Sequence, residues 1–154
     1  MTDRPNLANG RAYRAIPGPS VIPDAVLQAM HQAAPNIYAG DIVEMTRSLI
    51  PDLKAVARTR HHVAMYVGNG HAAWEAALAN VIAPGDCVLV PATGRFGIGW
   101  GEMARGLGAE TKVINFGMRA PMDMARIAEA LEQDKSHRIK AVLAVHVDLS
   151  LIHI

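Results

Sequence analysis

From Val63 to Val147 the chain alternates short apolar segments with helical patterns, and this alternation restricts the fold more than any other feature. The apolar segments are Val63 to Val67, Cys87 to Val90, Lys112 to Phe116 and Lys140 to Val147. Between them, His71 to Ile82, Gly97 to Leu107 and Met122 to Gln133 read as helices. Repeated strand and helix units of this length predict an α/β fold with a mostly parallel sheet and helices on its faces. In such sheets ligands bind at the carboxyl ends of the strands. Two loops leave that edge, Gly68-Asn69-Gly70 after Val67 and Pro91 to Gly97 after Val90. Loops that leave one sheet edge can share a pocket even when they are distant in sequence.

The residues before Val63 read differently. Pro5, Pro17, Pro19 and Pro23, with Gly10 and Gly18, predict an extended arm over residues 1–23. Helices are expected at Asp24 to Ala34 and at Ile42 to Thr59, where Ile42, Met45, Leu49, Leu53 and Val56 recur at helical spacing. Pro51 permits a kink in the second. Residues 24–148 then form one partial domain and residues 149–154 a separate tail.

With 154 residues, 51% of them hydrophobic and 19% charged, the chain suits one soluble globular unit or part of a larger one. The 15 basic and 14 acidic residues leave a formal charge of +1, too little to recruit nucleic acid or an acidic membrane surface. No apolar run is long enough to span a bilayer, and MTDRPNLANGRAYR lacks the apolar centre of a secretion signal. The single cysteine, Cys87, builds no disulfide framework; it suits a reducing cytoplasm and reads as a small core residue. The methionines read as core filling.

At Val63 to Leu78, VAMYVGNGHAAWEAAL, an apolar run, a glycine turn and a helix start follow one another directly. That order aims free backbone N–H groups, at the positive end of a helix dipole, into one small volume. Gly68 and Gly70 remove Cβ atoms that would block an anion, and His71 adds a side-chain donor. A phosphorylated ligand is therefore expected. The other reading of His71 is a solvated histidine at a helix start. Trp74 and Trp100 read as packing residues, Arg95 as solvated, and His61-His62 as solvated because the further ligands a metal needs are missing.

Ile16-Pro-Gly-Pro-Ser20, GNGHAAWEAALANVIAPGD and AEALEQDKSHRIKAVLAVHVD, in that order, resemble the serine–glyoxylate and alanine–glyoxylate branch of the class V aminotransferases. These are pyridoxal-phosphate enzymes of fold type I. The resemblance runs from Ile16 to Asp148; each motif alone is common, and the ordered set is specific. It implies an N-terminal arm plus part of the helix-flanked large domain of those enzymes. It also implies amino transfer from serine or alanine to glyoxylate or a similar 2-oxo acid, and a homodimer.

Carried over residue by residue, the resemblance makes Gly70 and His71 part of the phosphate loop, with Asn69 at a position that is often small and polar. Phe96 matches the aromatic residue that stacks on the pyridine ring; its other reading is a core aromatic. Such stacking contributes roughly 0.5–1.5 kcal/mol beyond burial, enough to orient a ring. Pro17 and Gly18, followed by Pro19, match a substrate-side loop. Tyr38 to Asp41 falls in a region that lines the site from the dimer neighbour. His146-Val147-Asp148 matches the start of a motif that continues with hydroxyl residues near the cofactor's phenolic oxygen, and Leu149 stands at the first hydroxyl position.

Leu149 to Ile154 is what CTG TCT CTT ATA CAC ATC encodes, the mosaic-end adaptor of transposon-based sequencing libraries. The other reading is a genuine strand extension. On the adaptor reading these residues carry no function and the chain is an N-terminal fragment. Transamination needs a lysine that holds the cofactor and moves protons at the substrate α-carbon, and a carboxylate at the pyridine nitrogen. It also needs a cation for the substrate carboxylate. In the resembled family all three follow the point matched by Asp148. The four lysines here, Lys54, Lys112, Lys135 and Lys140, match no such motif, and Lys112 and Lys140 are expected to open strands at the end opposite the pocket. The chain is thus expected to carry cofactor-binding residues, no catalytic ones and no activity. Two other readings remain: a non-catalytic scaffold with a phosphate pocket, and a nucleotide-dependent reductase using Ala92 to Gly97. The latter loop follows the second expected strand, where a dinucleotide fold would place it after the first.

Overall fold

The computed structural model describes Ile16 and residues 18–151. These fall into two compact units, Met1–Val67 and Gly68–Ile154.

The first unit contains α1 (Asp24–Met30) and α2 (Asp41–Val56). Both are shorter than periodicity predicts. In α2 the reason is a left-handed turn at Arg58, φ 49°, whose N–H donates to the Ala55 carbonyl while Thr59 N–H reaches back to Lys54. That pair of bonds satisfies carbonyls at the helix end and turns the chain out of the helix. Pro51 lies inside α2, where it leaves the Arg47 carbonyl without an amide four residues on. Most of the expected arm, Pro17 included, lies outside the described residues.

Within the second unit come α3 (Gly70–Val81), β1 (Cys87–Ala92), α4 (Arg95–Gly106), β2 (Glu110–Asn115), α5 (Met124–Glu132) and β3 (Ile139–Val142). The three strands are parallel in the order β2-β1-β3. The chain therefore crosses from β1 to β2 in one direction and from β2 to β3 in the other. Right-handed crossovers then place α4 and α5 on opposite faces. Every residue of β1 is buried, as a parallel strand covered on both faces requires.

Val88, Val90 and Ala92 share one face of β1 and form the core with Leu78 of α3, Ala104 of α4 and Leu143. Each fully buried Val or Leu is worth about 1.5–3 kcal/mol relative to exposure. Helix α4 lies close to this face because two of its turns lack side chains. A Cβ at Gly101 would stand 3.1 Å from Val90 Cγ2, and one at Gly97 3.1 Å from Ala92 Cα. Cys87, buried in β1 and unpaired, is the core residue the sequence suggests.

Two expected strands differ from what forms. Residues 63–67 are in no strand: the run pairs with nothing among the described residues, and Met65, Tyr66 and Val67 are exposed. Apolar content alone does not make a strand, because the ladder needs a partner with free N–H and C=O groups. Strand β3 stops at Val142 although the apolar run continues to Val147. The Leu143 N–H donates to Leu89 on β1, so odd-numbered residues of β1 face β3. The next donor on that side would be Pro91, which has no N–H, and the ladder ends. At its start, β3 is anchored by the buried Asp134, whose Oδ2 accepts the Ile139 N–H at 2.7 Å.

Candidate functional site

Helix α3 starts with Asn69 as its N-cap, and the side-chain oxygen accepts the backbone N–H groups of His71 (3.1 Å) and Ala72 (3.3 Å). This corrects the picture of a turn with several free donors. Asparagine at this position closes onto its own helix, which is what makes it a preferred cap. The two glycines also differ in role. A Cβ at Gly68 would stand 2.7 Å from Ala72 Cβ, so Gly68 permits close packing, whereas a Cβ at Gly70 would meet nothing within 4 Å. The open approach to the helix start is over Gly70.

His71 is exposed and stands edge-on to Trp74, ring centroids 4.8 Å apart, and to Phe96, 6.0 Å. Trp74 also meets Phe96 edge-on at 5.9 Å and stacks on Trp100 at 5.3 Å with the planes 14° apart. The structure thus brings His71 and Phe96 together from the first turns of α3 and α4, with Trp74 in contact with both rings. Trp74 was legible only as a packing residue, because helical spacing places it on α3 without showing what lies opposite.

Phe96 is half-buried and sits on the first turn of α4, not in the loop before it. That turn has no cap of its own, since the N-cap residue is Gly94. The Asp148 carboxylate supplies it: Oδ2 accepts the N–H groups of Phe96 (3.1 Å) and Gly97 (3.2 Å). The other oxygen, Oδ1, accepts the Ser150 N–H (3.0 Å) and hydroxyl (2.6 Å), and the Ser150 hydroxyl oxygen accepts the Arg95 N–H at 2.9 Å. Burial alone would raise the Asp148 pKa; the donors from Ser150, Gly97 and Phe96 outweigh it and hold the carboxyl below its ordinary value. Sequence reading placed Asp148 in a motif but had no signal for this contact across some fifty residues.

A cleft of about 650 Å³ opens at the carboxyl ends of the strands, lined among others by Thr93, Met118, Arg119, Met124, His146 and Asp148. It lies on the sheet edge where the sequence expects a pocket, but Asn69, Gly70, His71 and Phe96 do not line it. No lysine lines it either. Lys112 lies within β2 opposite Leu89, not at the strand's start, and Lys140 lies near the start of β3. Pro17 is outside the described residues, and Gly18 belongs to the first unit.

No protein-family model matches the chain. A serine–glyoxylate aminotransferase from Methylorubrum extorquens is 36% identical over 138 residues, covering 89% of this chain and 34% of the relative. The serine–glyoxylate aminotransferase of Hyphomicrobium methylovorum is 34% identical over 132 residues, covering 85% and 33%. Both of these relatives are serine–glyoxylate aminotransferases. A crystal structure of ureidoglycine–glyoxylate aminotransferase from Bacillus subtilis superposes with a TM-score of 0.64 at 27% identity, over 78% of this chain and 31% of that one. The parallel, helix-flanked sheet is therefore an α/β fold similar to part of that aminotransferase. The chain spans about a third of the length of these glyoxylate aminotransferases. A match over 89% of the chain necessarily includes everything from Asn69 to Phe96. No helix of the described residues is long and apolar enough to cross a membrane.

Proposed function

We propose that this chain carries the phosphate- and ring-binding part of a pyridoxal-phosphate site in an aminotransferase. The enzyme it belongs to moves an amino group from a small amino acid, serine or alanine, to glyoxylate or a similar 2-oxo acid. The observation that carries the reading is the meeting of His71 and Phe96, ring centroids 6.0 Å apart, at the start of α3. One residue is a hydrogen-bond donor at the start of a helix approachable over Gly70 and the other is an aromatic face, the two groups a flat phosphorylated ligand requires.

The residues present fit that ligand. Gly70 leaves its backbone N–H approachable, His71 adds a ring donor, and Asn69 supplies the amide that an arriving phosphate must displace or share. Phe96 presents its ring next to them and orients the pyridine plane. When bound, pyridoxal phosphate supplies the electron sink for chemistry at the substrate α-carbon. On this reading Pro17 and Gly18 count among the substrate-binding residues by resemblance, a second copy completes the site, and the protein works in the cytoplasm. On this reading the 154-residue chain by itself performs no amino transfer, because none of its four lysines matches the cofactor-holding motif of the resembled family.

The experiment is a titration of the chain with pyridoxal phosphate, followed by quenching of Trp74 and Trp100 emission. Saturable quenching that His71→Ala weakens supports the reading. Quenching that is linear in ligand, or indifferent to His71, removes it.

A further inference from the structure

We infer that Asp148 is a positioning residue for Phe96: arriving from the loop after β3, its carboxylate fixes the first turn of α4 and so sets where the aromatic ring stands. The inference rests on the proposed cofactor site for its functional meaning, and on geometry alone for the positioning.

Three observations carry it. First, α4 is the exception among the helices of its unit. Helix α3 is capped by its own Asn69, and α5 by its own Asp123, whose Oδ1 accepts from Ala125 and Arg126. Helix α4 begins after Gly94, which has no side chain, and takes its cap from a residue on another strand's loop. The local sequence therefore does not settle where α4 begins, and the end of β3 does.

Second, Asp148 accounts for Gly94, which backbone conformation does not. The Gly94 backbone is extended, φ −164° and ψ −169°, a conformation any residue adopts. A Cβ there would fall on the Asp148 carboxylate carbon and stand 2.7 Å from Oδ1. Glycine at this position is space for the carboxylate.

Third, the carboxylate is fully engaged. At 8% exposure it accepts two amides of α4 and two donors of Ser150, so it is held from both sides. A charged acceptor at the positive end of a helix makes bonds stronger than neutral ones. The bond goes to the N–H of Phe96 itself, so moving the carboxylate turns the backbone that carries the ring. That ring is wedged edge-on against His71 and Trp74, and a small rotation of the turn breaks both contacts. Asp148 and Phe96 follow adjacent strands, β3 and β1, at the point where strand order reverses. Ligands of open α/β sheets bind at that point.

The test compares Asp148→Ala, Asp148→Asn and Gly94→Ala in this chain, each checked for native circular dichroism. Ring position is read by NMR contacts between Phe96 and Trp74, and ligand binding by tryptophan quenching with pyridoxal phosphate and with inorganic phosphate as competitor. Asp148→Ala and Gly94→Ala, which displaces the carboxylate without altering it, should lose the Phe96–Trp74 contacts. Both should weaken pyridoxal phosphate by about two- to tenfold, the worth of a ring stack, while inorganic phosphate competes as before. Asp148→Asn keeps an oxygen acceptor for the amides and should restore most of both. Intact ring contacts and unchanged affinity in folded Gly94→Ala overturn the inference. Should the parent chain bind no pyridoxal phosphate, the cofactor reading falls, and the ring contacts alone still decide whether Asp148 positions Phe96.

Discussion

The Asn69 carboxamide oxygen accepts the backbone N–H of His71 at 3.1 Å, so the residue that caps α3 also occupies a donor that a phosphate would use. Stability and anion binding therefore pull against each other at one side chain. Asn69→Ala should cost about 1 kcal/mol in urea unfolding and Asn69→Gly only a few tenths. Asn69→Gly leaves the His71 and Ala72 amides open, so it should bind pyridoxal phosphate more tightly than the parent. Weaker binding would instead mean that the carboxamide itself contacts the phosphate.

Two glycines of α4 should respond in opposite directions. Gly101 faces Val90 with no room for a larger side chain, and Gly101→Val should destabilise by about 1–3 kcal/mol through overpacking. At Gly99, two residues away, a Cβ would meet nothing within 4 Å, so Gly99→Ala should stabilise by about 0.4–1 kcal/mol. Denaturant midpoints of the two variants check both.

Acid should unfold the second unit through two carboxyls. Asp134 is held low chiefly by the Ile139 N–H, and Asp148 is held low by the Ser150, Gly97 and Phe96 donors that overcome its burial. A depressed pKa means that the folded state favours the charged form. Its stabilisation is present above the ordinary value of 3.8 and is lost as pH falls through the lower folded value. Unfolding free energy measured against pH should therefore drop below that value, and the drop should be shallower in Asp148→Asn.

Borohydride reduction of the chain with pyridoxal phosphate should leave no dominant adduct at Lys54, Lys112, Lys135 or Lys140 in peptide mass spectrometry. None of them matches the cofactor-holding motif of the resembled family. A single lysine labelled in preference to the rest would show a preformed covalent site and contradict the expected inactivity.

Much of the second unit was legible because its signals are local. The period of apolar residues located α3, α4, α5, β1, β2 and the start of β3 within a few residues, and the spacing of these elements implied the parallel sheet. The failures were non-local. Residues 63–67 look like a strand and pair with nothing among the described residues, and the run 140–147 was cut at Val142 because the rung beyond it would need an N–H from Pro91.

By itself the sequence determined the α/β class, most elements of the second unit and the two strand-to-helix segments that carry His71 and Phe96, since periodicity and turn chemistry act over a few residues. Only the tertiary structure decided that Trp74 meets both of those rings and that Gly94 leaves space for Asp148, whose carboxylate starts α4. Those contacts join residues from different elements, and no property of a residue's neighbours in the chain encodes which group will stand opposite it once the sheet is assembled.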